Sequence, residues 1–143
     1  MSPEKLPLEL KLGLRSGSVF YFEARELTST EPHFFVVLNR DPLGEELLLL
    51  TVFTSQIDKM RIRNRERPDT IVEFGPSDYS PLTRQTAIDG NVIFRRSLGE
   101  MADLVHQKSL NYHPDLPMEL MNRIRAAVLA SPVIEEEDRE RIQ

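Results

Sequence analysis

The sequence of 143 residues contains no cysteine, and this absence excludes several kinds of chemistry. Disulfide bonds, thiolate nucleophiles and cysteine-ligated zinc are impossible, so a metal ion would need histidine or carboxylate ligands. Histidine is also scarce, since only His33, His106 and His113 occur, and their spacing matches no metal-ligand pattern. We therefore expect neither a metal site nor a bound cofactor.

Long apolar runs are missing as well. The longest apolar stretch, residues 47–52, is far too short to cross a bilayer. No basic start followed by an apolar run opens the chain, so nothing indicates a signal peptide. We expect a soluble, cytoplasmic protein of one domain with no membrane segment.

The chain lacks an excess of positive charge, because 18 lysines and arginines stand against 23 acidic residues and the net charge is -5. Such a surface repels nucleic acid at long range, so contact with RNA would need a local basic patch. The alternation of cations between residues 59 and 67 offers one. On an extended backbone a spacing of two places these side chains on one side, where they could bind a phosphate chain together. An equally ordinary interpretation is a solvent-exposed hairpin connection without a ligand. The five cations are Lys59, Arg61, Arg63, Arg65 and Arg67.

The first residues show a strict alternation of leucine with other residues from Leu6 to Leu14. This is the period of a half-buried strand. Pro7 cannot donate a hydrogen bond to a neighbouring strand, which favours a position at a sheet edge. We predict that residues 1–16 form an extended segment packed on the main domain.

Short segments rich in aromatic and β-branched residues predict the strands of the main domain. Turn signals at roughly ten-residue spacing separate them, and this pattern favours a small barrel over a parallel sheet. The apolar third segment is expected to be buried on both faces, and Gly90 with Asn91 indicates a bulge or bend in the last one. The predicted strands cover residues 19–24, 34–38, 47–53, 70–74 and 88–94.

Helical patterns follow in the last third of the chain. Residues 97–108 have apolar positions at helix-like spacing, and residues 117–131 form a clearer amphipathic helix that ends before Pro132. The acidic tail, residues 135–143, is predicted to be a frayed helical extension or disordered. The predicted fold class is therefore α+β, mainly β, with a small β-barrel and a C-terminal amphipathic helix in a domain of residues 17–134.

The order of these signals resembles that of the PemK/MazF-like toxins of toxin–antitoxin pairs. The strongest local match is Thr-Ser-Gln-Ile-Asp-Lys at residues 54–59, and the similarity extends over roughly residues 17–131. The resemblance implies a small SH3-like β-barrel with added helices and a homodimer. It also implies metal-independent cleavage of single-stranded RNA and an antitoxin partner that covers the RNA groove.

The family's active site pairs an arginine, just before the proline of the second strand, with a threonine or serine at the end of the next strand. Thr54 matches the second of these positions, but Glu31 stands at the arginine position when Pro32 is matched to the family's proline. The loss of a cation matters because strand scission builds negative charge on the phosphate, which preorganised donors must stabilise.

His33 is a candidate to replace that arginine in part. An imidazole with an unperturbed pKa near 6.5 can accept the 2′-hydroxyl proton or donate to the leaving oxygen. The alternative is a polar residue that only makes a hydrogen bond to a loop at the start of a strand. The predicted catalytic residues are Thr54 and His33, and the predicted RNA-binding residues are Ser55, Gln56, Lys59, Arg61, Arg63 and Arg65.

Two other interpretations stay open. The missing arginine favours a catalytically inactive domain that retains the fold and binds nucleic acid or protein. The alternating leucines and the amphipathic last helix favour a pure interaction protein, since either could build a symmetric dimer.

Overall fold

The computed structural model describes residues 6–28 and 30–143, so the first five residues of the predicted N-terminal segment lie outside it. The described residues form five α-helices and seven β-strands. In chain order these are α1 (Leu8–Gly13), β1 (Val19–Phe22), β2 (His33–Val37), β3 (Leu47–Thr54), α2 (Ile57–Arg63), β4 (Ile71–Phe74), β5 (Thr86–Asp89), β6 (Phe94–Ser97), α3 (Leu98–His106), β7 (Asn111–His113), α4 (Met118–Ala130) and α5 (Glu136–Ile142).

All strand pairs are antiparallel. The strand order in the sheet is β4-β5-β3-β2-β1-β7, and β6 pairs with the first half of β3, while β5 pairs with its end. The mainly β architecture is therefore confirmed. The closed barrel is wrong, because the end strands β4 and β7 do not pair with each other in the described part of the chain. Helix α4 packs on β4 and β5, so helices cover apolar surface that a closed barrel would bury inside itself.

Strand β3 lies at the centre of the sheet and is buried on both faces, as its continuous apolar sequence predicts. Leu48 and Leu50 face one core with α1 and α3, while Leu49 faces the other core with α4 and α5. All three side chains are 0% exposed. The sheet is thus the middle of three layers. Strand β3 is packed against helices on both faces and paired with other strands along both edges.

The N-terminal segment is a helix rather than an extended strand. Lys11 N–H donates to Pro7 O at 3.0 Å and Leu14 N–H to Leu10 O at 2.9 Å. An alternation of leucines also contains a spacing of four, and that spacing puts Leu6, Leu10 and Leu14 against the core while Leu8 and Leu12 stay exposed. The intervening glutamate and lysine are good helix formers, so burial of one leucine stripe decides the conformation.

The predicted strand at residues 88–94 is two strands separated by a bend. Strand β5 pairs with Phe53 and Thr54 at the end of β3, and β6 pairs with Leu47 to Leu50 at its beginning. The bend contains Gly90, as the sequence predicted, and Gly90 N–H donates to Thr70 O at 2.7 Å. The central strand can therefore use two short partners along one edge.

The two predicted helices of the last third are confirmed as α3 and α4. Ser97 caps α3 with its hydroxyl, which accepts from Glu100 N–H at 3.0 Å, and Glu100 accepts from Ser97 N–H at 2.9 Å. Leu120, Ile124 and Val128 of α4 are buried against the sheet. The amphipathic pattern therefore predicts correctly which face of α4 packs against the sheet.

The acidic tail is helical, as one of its two predicted alternatives had it, but it packs on the fold and is neither frayed nor disordered. Ile142 is 0% exposed, and Asp138 is buried in an ion pair with Arg95. Arg139 donates to Leu129 O at 2.5 Å and to Ser131 O, near the end of α4. The charge of the tail suggested solvation, but these contacts fix it to the rest of the fold.

Substitution of Gly90 by alanine is expected to destabilise the protein, because the added Cβ would lie 2.7 Å from Thr70 O and 2.8 Å from Ala127 O. Overpacking of this kind typically costs about 1–3 kcal/mol. Gly13→Ala is the matched control, since its Cβ would meet nothing within 4 Å. Urea denaturation should show a lower free energy of unfolding for Gly90→Ala alone, and equal effects of both substitutions would contradict the packing described here.

Candidate active site

Thr54 is the last residue of β3 and is half-buried where the strand leaves the sheet. Its backbone pairs with Ala87 of β5, and its side-chain oxygen accepts from Gln56 N–H at 3.1 Å. This turn fixes the position of the hydroxyl, which keeps its proton for donation to another group.

His33 begins β2 and lies beside Thr54. The β2–β3 pairing ends at Phe35 and Val52, and His33 and Thr54 each lie two residues beyond it, where they line the same surface. His33 Nδ1 is 3.0 Å from Glu31 O, a carbonyl that can only accept. The proton of the neutral ring therefore belongs on Nδ1, and Nε2 is left as an acceptor.

An open cleft of about 330 Å³, here called the α2 cleft, brings Thr54 and His33 together with Lys59 and Arg63. Residues four apart on a helix share a face, so α2 presents Lys59 and Arg63 on the same side. The β1–β2 loop contributes Leu27 to the lining of the cleft. The cleft thus combines a hydroxyl, an imidazole and two cations.

The alternating cations do not form the one-sided ladder that the sequence predicted. Residues 57–63 are helical, and a helix places Met60 and Asn64, which are four residues apart, on one face. Both side chains are buried, so the helix buries this face. Helical rotation turns Arg61 away from the α2 cleft. Its guanidinium pairs with Glu73, with Nε donating to Oε2 at 2.7 Å.

Arg61 and Arg65 line a separate recess with Glu73 and Arg123. The hydrogen bonds from Arg61 hold the pKa of Glu73 below its usual value, so this carboxylate is charged at neutral pH. Of the four cations predicted to bind RNA, two therefore line the cleft with Thr54 and two lie on the other side of α2. Ser55 and Gln56 are exposed at the end of β3.

Asp89 holds the guanidinium of Arg63 in position through an ion pair. Its carboxylate accepts from Arg63 at 2.8 Å, from Asn64 at 3.0 Å, and from the backbone and side chain of Asn91 at 2.9 Å each. Burial acts to raise the pKa of Asp89, but these hydrogen bonds outweigh it and the pKa is lowered. Asp89 therefore stays charged and neutralises part of the Arg63 charge. Lys59, by contrast, takes part in no ion pair within residues 6–28 and 30–143.

A second cleft of about 500 Å³, here called the β7 cleft, opens on the other side of Thr54 and His33. Its lining includes Arg84 and His113, which were not among the predicted site residues. His113 belongs to β7, a three-residue strand paired with β1 that was not among the predicted strands. Only Tyr112 of its three residues favours a strand, and one such residue is too weak a signal, so the pairing of this segment with β1 could not be found from composition.

Residues 6–28 and 30–143 contain neither a cluster of metal ligands nor a membrane-spanning helix. There, no group of three or more histidine and acidic residues is arranged to hold a metal ion. No helix in those ranges has the length and apolarity that crossing a bilayer requires.

The fold is similar to that of a solved structure described as an endoribonuclease in complex with its cognate antitoxin from a Mycobacterial species. The two chains are 17% identical, with 80% of this chain and 90% of that chain covered and a TM-score of 0.51. At this identity the likeness concerns the fold. No protein-family model matches the chain, and no curated protein matches it.

Substitution Asp89→Asn is expected to lower the free energy of unfolding by about 1–3 kcal/mol at neutral pH, because it weakens hydrogen bonds to a buried charge. The folded-state pKa of Asp89 lies below its unfolded value of about 3.9. Its contribution is therefore complete above that pH and is lost as the pH falls below it. Urea denaturation at pH 7, 5 and 3 should show a gap between wild type and variant that narrows only at pH 3.

Asp103→Asn is the control for this comparison, because Asp103 is exposed on α3. It should leave the free energy of unfolding nearly unchanged at all three pH values. A gap for Asp89→Asn that is constant from pH 7 to pH 3 would contradict the role of the charged carboxylate.

Proposed function

We propose that this chain is a toxin-like endoribonuclease that cleaves single-stranded RNA without a metal ion. One observation carries the proposal: the Thr54 hydroxyl, the His33 imidazole and the Lys59 ammonium line one open cleft. The similarity of the fold to that of a solved endoribonuclease supports the same reaction class.

The proposed reaction is attack of a ribose 2′-oxygen on the adjacent phosphorus. The O2′–P bond forms, the bond from phosphorus to the 5′-oxygen breaks, and a cyclic phosphate results. His33 Nε2 accepts the 2′-hydroxyl proton, and the leaving 5′-oxygen takes a proton from solvent. The hydroxyl of Thr54 donates to a non-bridging oxygen, where negative charge develops.

Lys59 is the cation that we assign to the phosphate. The arginine implied by the family resemblance is replaced by Glu31, and much of the charge of Arg63 is compensated by Asp89. Lys59 carries a positive charge to the same cleft from the first turns of α2. A mobile ammonium is a less specific phosphate ligand than a guanidinium, so we expect a slower enzyme than a chain with the arginine.

The RNA path extends from Thr54 in this proposal. The exposed side chains of Ser55 and Gln56 contact the strand beside the reacting phosphate. Arg65 contacts a phosphate farther along, around the other side of α2, and Arg61 beside it adds less because Glu73 compensates much of its charge. Such contacts are electrostatic and independent of base identity, so they add affinity that falls with salt.

Partners and location belong to the same proposal. The similar solved structure contains an endoribonuclease with its cognate antitoxin. By analogy we infer an antitoxin partner that covers the RNA groove of this chain. A homodimer and a cytoplasmic location are further parts of the inference and rest on the family resemblance.

A second candidate function is an inactive module that binds nucleic acid or protein. Two observations favour it: Glu31 stands where the resemblance implies an arginine, and the cleft arginine Arg63 is paired with Asp89. Both reduce the positive charge that a transition state would need. Retained RNA binding without cleavage would select this function.

Thr54→Val and His33→Ala are expected to lower the cleavage rate of a long, mixed-sequence single-stranded RNA by about 100-fold or more. Valine keeps the branched shape of threonine and removes only the hydroxyl, so the strand end should survive. Cleavage is followed on denaturing gels in EDTA, which makes it a test of the metal-independent reaction.

Lys11→Ala is the charge-matched control for Lys59→Ala, because Lys11 is exposed on α1 away from the cleft. Lys59→Ala should slow cleavage and Lys11→Ala should not. Equal cleavage by wild type and Thr54→Val, or no cleavage by wild type over a wide salt range, would sink the enzymatic proposal.

A further inference from the structure

The β7 cleft has an aromatic wall that the proposed reaction does not use. The Phe34 ring lies 4.8 Å from the Tyr21 ring and 4.8 Å from the His113 ring, measured between centroids. His113 also meets Tyr21 edge-on at 5.8 Å. All three side chains are half-buried, so the wall is supported by the sheet and still reaches solvent.

The wall lies next to the proposed reaction centre. His33, Thr54 and Gln56 line both the α2 cleft and the β7 cleft, so the two clefts meet at Thr54. A strand whose reacting phosphate lies at Thr54 therefore has one neighbouring nucleotide directed toward the β7 cleft. The volume of about 500 Å³ is within the usual range for small-ligand pockets.

The rim of the β7 cleft carries charge of both signs. Arg84 lies on the loop before β5 and is exposed, and it takes part in no ion pair within the described ranges. Its carbonyl accepts from the Thr86 hydroxyl at 3.1 Å, which ties the loop to the start of β5. Glu31 lies on the same rim and disfavours phosphate on its side. The cation thus defines the side on which a backbone phosphate can approach.

We propose that the β7 cleft binds one nucleobase of single-stranded RNA, the base beside the reacting phosphate, stacked on His113 with Arg84 at the flanking phosphate. This inference rests on the proposed function, because it takes the reacting phosphate to lie at Thr54. A nucleobase fits the wall because its flat face stacks on aromatic and imidazole rings, whichever base it is.

The state of the imidazole agrees with stacking rather than phosphate binding. Burial lowers the pKa of His113, so the ring is neutral at neutral pH. A neutral ring offers a phosphate no ionic attraction, while Arg84 does. His113 therefore contacts the base and Arg84 contacts the backbone. Affinity should depend on the presence of a base through His113 and on the phosphate through Arg84.

The test uses 2′-O-methyl heptamers of each of the four bases, which cannot undergo the proposed cleavage, and an abasic heptamer of the same charge. Fluorescence anisotropy measures their affinity for wild type and variants. His113→Ala should weaken binding of the base-containing heptamers by about 5- to 100-fold and leave the abasic heptamer unchanged. Arg84→Ala should weaken all heptamers by the same factor.

Two variants guard against a trivial loss of structure. His113→Phe keeps a flat ring and should restore the affinity that His113→Ala loses. His106→Ala removes an exposed imidazole at the end of α3 and should change nothing. The proton signals of the His113 ring, assigned by comparison with His113→Phe, should shift with the base-containing heptamer and not with the abasic one.

The outcomes separate this inference from the proposed function. Equal effects of His113→Ala on abasic and base-containing heptamers, or no effect on either, would overturn the base site even if wild type cleaves RNA. A base-dependent effect of His113→Ala in a protein without cleavage would support the base site and overturn only the enzymatic function. Failure of every heptamer to bind would overturn the base site itself.

Discussion

The buried carboxylate of Asp89 is the group on which the geometry of the candidate site depends. It lies at the end of β5 and accepts hydrogen bonds from Arg63 and Asn64 at the end of α2. Asn91 extends the network, since its side-chain nitrogen Nδ2 donates to Asn64 Oδ1 at 3.1 Å and to the Thr70 hydroxyl at 2.7 Å. Ser131 donates to Asn91 Oδ1 at 2.6 Å and connects the end of α4. A buried charge is tolerated only when such partners satisfy it, so these elements must keep their relative positions.

The strands were predictable because β-branched and aromatic residues mark them locally, and β3 also reports burial on both faces through its unbroken apolar run. That the sheet is open and not a closed barrel was not predictable, since closure depends on which elements pack against the end strands. The two errors in helix assignment share one cause. Alternation by two contains a spacing of four, and in both α1 and α2 one buried residue, Leu10 or Met60, decides which period the backbone follows.

The site was predictable to the extent that it lies on predicted strands. Thr54 and His33 are neighbours because β2 and β3 form a hairpin, and their positions at its open end follow from where each strand stops. The cations were located in sequence but not in space, because the helix distributes them over two sides. Arg84 and His113 were not found, since one lies in a loop and the other in a strand of three residues whose pairing with β1 is set by tertiary contacts alone.

Three strands of the described residues, β4, β6 and β7, pair with one other strand only, so each leaves an outer edge with unpaired backbone groups, and all three are short. Strands β4 and β6 have four residues each and strand β7 has three. Another extended peptide could form only one or two backbone hydrogen bonds along such an edge, too few to offset the entropy of ordering it. The brevity of the outermost strands therefore protects the molecule from strand addition and aggregation, a safeguard that a closed barrel would obtain by having no edges.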